Sequence, residues 1–174
     1  MRKAVFWAVL RRGVGAAAVT AALAASSGCT VPIDAVTGIS VTGDGHLLGV
    51  IRVCGHHIDG ATLSPRTDGA EGSRTIGSWT AAEPFEAGLT TWSLDSPSPG
   101  WTTTTPLGPL VAGTTYTLYG WTDDNSWSSA PVSFTVADRD RLAPGQVLRE
   151  SVTDGGEALT STVSSAEFEA GGCE

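Results

Sequence analysis

Beyond residue 30 the hydrophobic positions come in short bursts, and no stretch keeps an apolar residue every third or fourth position for long. β-Branched and aromatic residues gather in these bursts, and clusters of Gly, Pro, Asp and Ser separate them. Bursts of this kind read as strands with one buried face, joined by turns. The pattern predicts strands at residues 35–41, 47–54, 61–64, 75–80, 89–94, 101–105, 114–122 and 131–136. Gly43-Asp44-Gly45 and Asp95-Ser-Pro-Ser-Pro-Gly100 are turn sequences, residues 55–60 break a strand, and 65–74 form a polar, Gly-rich loop. The spacing fits an all-β antiparallel sandwich over 35–137.

The character changes after residue 137. Residues 137–141 are charged, Ala143-Pro144-Gly145 is a turn, 146–149 predicts one more strand and 154–156 a loop. Residues 164–170 read as one or two helical turns, with Ser164 or Ser165 as the N-cap and acids in the first turn. No internal repeat and no second core is visible, so 138–174 is read as an extension of the same domain. Strand alternation assigns faces. Tyr116, Leu118 and Gly120 point inward, as do Val132, Phe134 and Val136, while Thr117, Tyr119 and Trp121 point outward. On the most apolar run, Leu47, Ile51 and Val53 point inward, and Leu48, Val50, Arg52 and Cys54 point outward. That outward row is too apolar to be left in water. Something must cover it, and the C-terminal extension is the available segment.

Leu110-Val-Ala-Gly-Thr-Thr-Tyr116-Thr-Leu118 resembles the fibronectin type III pattern Leu-x-Pro-Gly-Thr-x-Tyr-x-Val, with Ala112 in place of Pro. The resemblance covers about 30 residues of this chain, and many immunoglobulin-like sandwiches share it. It implies a tyrosine corner: Tyr116 buries its ring and bonds its hydroxyl back to the backbone, Gly113 permits the turn, and Leu110 closes the core. The tryptophan that the family carries on its second strand is missing from 47–54. The fold expectation is therefore a fibronectin- or immunoglobulin-like sandwich.

The N-terminus carries an address. Arg2, Lys3, Arg11 and Arg12 precede an uncharged, small-apolar stretch from 13 to 25, too short to span a bilayer. A basic segment followed by a short apolar one reads as a secretory signal. It ends in Ser26-Ser27-Gly28-Cys29, which resembles the bacterial lipobox. Ser26 stands where Leu is commoner. The resemblance implies a signal peptide over 1–28, a diacylglycerol thioether on Cys29 with or without N-acylation by palmitate, and a tether over 29–34. Ala/Gly/Thr-rich, lysine-poor usage agrees with a high-GC Gram-positive source. The localisation expected is the extracytoplasmic face of the cell membrane, lipid-anchored. The alternative is cleavage after Ala24 or Ala25, giving a secreted protein. The remaining cysteines, Cys54 and Cys173, form an even pair without metal-like spacing. Outside the cytoplasm such a pair suggests a disulfide, the alternative being two free thiols.

Charge then narrows the partners. All 18 acids lie after residue 33, against six bases beyond Cys29, all arginine, for a net charge of −12. Nucleic acid and polybasic membrane contact both need clustered cations, so neither fits. The most distinctive segment is 118–127. Tyr119 and Trp121 project from the outer face of a strand, and Trp127 sits in the adjoining loop beside Asp123 and Asp124. Exposed rings supply stacking area and acids supply hydrogen bonds, so these five residues make a candidate binding face for a cell-envelope protein or glycan. The competing reading is that the rings pack against the tail or brace the loop. Trp79, Trp92 and Trp101 are read as core or rim. His46, His56, His57 and Asp59 do not make a metal site, because His56 and His57 are adjacent and diverge on an extended chain. Asp123-Asp124-Asn125 lacks the spaced ligands of a calcium loop. No nucleophile elbow, zinc-protease or phosphate-loop motif is present, so no enzyme and no cofactor is expected. The function expected is a lipid-anchored binding module. Its alternatives are a structural or accessory envelope lipoprotein, or a small metal-handling or hydrolytic one.

Overall fold

In the computed structural model, which describes residues 30–66, 74–153 and 155–173, the Gly43–Gly45 turn joins β1 (Ile33–Val41) to β2 (Leu47–Val53). Gly45 takes φ +89°, a conformation that only glycine adopts cheaply. Then follow β3 (Ile58–Pro65), β4 (Gly77–Phe85), β5 (Gly88–Ser93), β6 (Trp101–Thr105) and β7 (Tyr116–Trp121). β8 (Ser128–Ala130) and β9 (Val132–Phe134) precede helix α1 (Val136–Arg141), and β10 (Gln146–Val152), β11 (Ala158–Ser164) and helix α2 (Ser165–Gly171) complete the chain. Cys29 and the signal sequence lie outside the described residues, as does most of the 65–74 loop.

The described strands form one mostly antiparallel, 11-stranded sheet. β1 pairs with β2 over the whole length of β2, from Ala35↔Val53 to Val41↔Leu47, and β2 pairs with β5. A second set runs β6–β4–β3–β7–β9. β8 links the two sets, pairing in parallel with the first half of β1 and antiparallel with the end of β7. The free half of that β1 edge is taken by β10, through Gly38↔Arg149 and Ile39↔Leu148.

The run 131–136, predicted as one strand, is divided. Pro131 has no N–H for a ladder bond, so β8 and β9 separate around it. The strand then stops at Phe134, and Val136 opens α1 instead of continuing inward. The cause is a capping box: Thr135 accepts from the Asp138 N–H, and the Asp138 carboxylate accepts from the Thr135 N–H at 2.8 Å. The same device starts α2, where Ser164 and Glu167 cap each other.

Two apolar clusters hold these elements. The main core gathers Ile39, Ile51, Val53, Ile58, Leu63, Trp79, Trp92, Leu118, Val132 and Phe134, all nearly inaccessible. The tyrosine corner closes one end: Tyr116 is buried, its hydroxyl accepts from the Val111 N–H at 2.7 Å, Gly113 takes φ +81°, and Leu110 packs on the core. The second cluster lies on the outward row of β2. Val50, only 4% exposed, is covered by Val147 of β10 and Phe168 of α2. Gly38 makes the close approach possible, since a Cβ there would fall 2.4 Å from the Val147 methyl. Arg52 Nε donates to the Glu169 carbonyl at 3.1 Å, and Cys54 is disulfide-bonded to Cys173, 119 residues away, with Cα atoms 5.5 Å apart. No helix among the described residues is long and apolar enough to cross a membrane.

Candidate functional site

The pairing of β3 with both neighbours builds one outward surface. Gly60, Thr62 and Ser64 stand opposite Trp121, Tyr119 and Thr117 of β7. On the other side, Gly60 and Thr62 stand opposite Thr80 and Ser78 of β4. Directly opposed residues share a face. The surface is therefore a carpet of hydroxyls carrying two aromatic rings.

Those rings are held differently. Trp121 lies flat across Gly60: a Cβ on Gly60 would fall 2.3 Å from the indole. Its Nε1 donates to Thr62 Oγ1 at 2.8 Å, which fixes the ring's orientation. Tyr119 is 37% exposed, and no side-chain hydrogen bond holds it among the described residues.

The loop 122–127 is a separate construction at the end of β7. Buried Thr122 ties it down, accepting from the Trp127 N–H at 3.0 Å. Asn125 turns the chain at φ +56°. The Trp127 ring stacks on His56, with centroids 3.7 Å apart. His56 is itself set by Asp34, whose carboxylate bonds its Nδ1 at 2.8 Å and accepts the Gly55 N–H at 3.0 Å. Burial pushes the Asp34 carboxyl up, but donation by the His56 backbone and ring and by Gly55 outweighs this and holds it below its ordinary value. Asp123 and Asp124 are exposed and serve the turn. The Asp123 N–H bonds Asp59 at 2.9 Å, and Asp124 accepts from the Ser126 N–H at 2.9 Å. Bonds from Ser126 and Thr122 draw the Asp124 carboxyl down to about 2, so it is an anion at any physiological pH.

The five residues of the candidate face thus fall into two groups. Tyr119 and Trp121 share the sheet surface. Trp127, Asp123 and Asp124 belong to a braced loop beside it. Sequence reasoning missed Gly60, Thr62, His56 and Asp34 as their partners. A glycine inside a strand signals close approach, but the sequence pattern places Gly60 in the 55–60 break, and it falls inside β3 only in the structure; the others depend on pairing between distant strands. His56 turns to Asp34, while His57 Nε2 lies 3.6 Å from Asp59. No three potential metal ligands converge among the described residues. Compared with protein-family models, curated proteins and solved structures, the chain matches none.

Proposed function

We propose that the chain is a lipid-anchored, extracytoplasmic binding module of the cell envelope, and that the β3–β4–β7 surface receives a saccharide of the cell wall. The observation that carries the reading is the pair of neighbouring rings on a hydroxyl carpet, one pre-set flat by Gly60 and Thr62 and the other exposed. Flat rings stack on the apolar face of a sugar, and Ser and Thr hydroxyls exchange hydrogen bonds with its rim. The lipobox-like Cys29 supports the anchor, and the Cys54–Cys173 disulfide agrees with an oxidising compartment. The finer fold belongs to the same proposal. An antiparallel β1–β2–β5 set opposite β4–β3–β7–β9, with the Tyr116 corner, supports an immunoglobulin- or fibronectin-like sandwich to which β6, β10 and β11 are additions. The accessory reading draws on one observation, that Trp121 also serves the fold by covering Gly60.

Tyr119 therefore gives the cleaner test. Cosedimentation with purified cell-wall polysaccharide from a high-GC Gram-positive bacterium should retain the wild type. Tyr119→Ala should lose binding at an unchanged melting temperature. Equal retention of both proteins, or retention of neither, would reject the saccharide surface.

A further inference from the structure

A concavity lies at the opposite end of the sheet from the 122–127 loop. It is a half-open cleft of about 360 Å³ between the β1–β2 turn, the segment after β5, the β6–β7 connection and α1. Clefts of roughly 300 Å³ and above are the size that takes small ligands. Part of its floor is aliphatic: the half-buried side chains of Leu107 and Leu110, packed against the main core above the buried Leu47 and Leu94, line it. Among the described residues, the only ionised side chains in its lining are Asp95 and Arg139, one of each sign.

The walls are held by bonds that do not need a ligand. The Leu94 N–H donates to the Leu47 carbonyl at 2.9 Å, and the Gly108 N–H to the Ile76 carbonyl at 2.7 Å. The tyrosine corner pins the segment after Leu110. Asp95 is oriented by the Ser93 hydroxyl at 2.9 Å and by His46 Nδ1 at 3.1 Å. Arg139 is oriented by Asp140, whose Oδ1 accepts from Nε at 2.9 Å and Nη2 at 2.6 Å. A guanidinium carries five N–H donors in a planar fork, so capacity for a ligand carboxylate remains. The site is therefore preformed, and binding incurs little ordering cost.

An aliphatic floor alone would accept any apolar body, and either charge alone any ion of the opposite sign. All three features together are used only by a molecule with a cation and an anion on an aliphatic frame. We propose that this cleft binds a short zwitterionic peptide, with an aliphatic side chain on the leucine floor, its ammonium at Asp95 and its carboxylate at Arg139. The site is independent of the aromatic surface.

The test uses the folded chain and three probes: leucylalanine, its N-acetyl form and its C-terminal amide. Calorimetry should show saturable binding of leucylalanine, with amide NMR shifts centred on Gly45, Ser96 and Gly108. Each blocked form should bind about tenfold or more weakly, the loss expected for one charge-assisted contact. Arg139→Gln should weaken leucylalanine and leave the amide form unchanged. Tyr119→Ala should bind leucylalanine as the wild type does. No saturable binding at millimolar peptide, or equal binding of all three probes, would overturn the proposal. The three-probe comparison on the wild type decides the matter even if a variant fails to fold.

Discussion

At three places among the described residues a tryptophan ring lies over a glycine of its own or the neighbouring strand. Trp92 covers Gly49, Trp79 covers Gly77 and Trp121 covers Gly60, each so closely that a Cβ would come within 2.5 Å of the ring. A bare glycine weakens a strand, and an aromatic ring laid across it restores the lost packing. The first two pairs face the core, where Trp92 also stacks on Trp101 at 4.3 Å, and the third faces out. The same substitution should therefore differ in cost. Gly49→Ala forces the buried Trp92 ring to move within the core, and overpacking of that kind costs roughly 1–3 kcal/mol or more. In Gly60→Ala the Trp121 ring can swing toward solvent, losing its bond to Thr62, so the cost should be smaller and the tryptophan emission should shift to the red. Urea titrations of the two variants read the difference, and equal midpoints would contradict it. Tyr116→Phe tests the corner: removing the hydroxyl leaves the Val111 N–H without its acceptor, at a cost of about 1–2 kcal/mol.

At the scale of elements, the C-terminal segment is part of the sheet. β10 supplies backbone pairing to β1, and α2 seals the outward row of β2 through Phe168, which is fully buried. Phe168→Ala should cost roughly 3–5 kcal/mol, and the Cys54→Ser/Cys173→Ser pair about 5 kcal/mol from loop entropy. A chain ending at residue 137 should be insoluble, since Val50, Val36 and half of the β1 edge lose their cover; soluble, cooperatively folding protein from 30–137 would contradict this. The outward row of β2 was legible from alternation alone, because it is apolar on both faces. β11 was not: its Ala158–Ser164 run is mostly exposed and Thr/Ser-rich, and only its seven-residue register with β10 makes it a strand. α1 was hidden for a different reason. The alternation of Val132, Phe134 and Val136 runs straight across its capping box, and the local bonds of Thr135 and Asp138 prevail over that period. The candidate face was half legible. Spacing of two along one strand puts Tyr119 and Trp121 together, whereas the stacking of Trp127 on His56 joins residues 71 positions apart and has no local signature.

At the scale of the whole molecule, residues 30–174 carry all 18 acids and only six arginines. Such a chain repels itself at neutral pH, and the repulsion eases as carboxylates protonate. Specific bonds act the other way at low pH. The Thr135 cap lowers the Asp138 carboxyl, the Ser164 cap lowers Glu167, and Thr42 lowers Asp44. Burial raises Asp95, but donation from Ser93 and His46 outweighs it, and Asp124 falls to about 2. A carboxyl depressed in the folded state binds its proton first in the unfolded chain, so its contribution is complete above the ordinary carboxylate range and is lost as pH falls toward 2. His46 has the opposite sign. The hydrogen bond and charge of Asp95, with the charge of Asp44, raise it above its ordinary 6.5, so its contribution is complete below 6.5 and fades as pH climbs through the raised value. The melting temperature should therefore peak between about pH 4.5 and 6.5, fall steeply below 4 and decline gently toward 8. Salt separates the causes. At 1 M the Debye length is about 3 Å, which screens both the diffuse repulsion and the exposed His46 pair and should flatten the neutral limb. The acid limb rests on short hydrogen bonds to capping hydroxyls and backbone amides, so it should persist in 1 M salt. An acid limb that vanished with salt would assign the acid sensitivity to long-range charge instead of the caps.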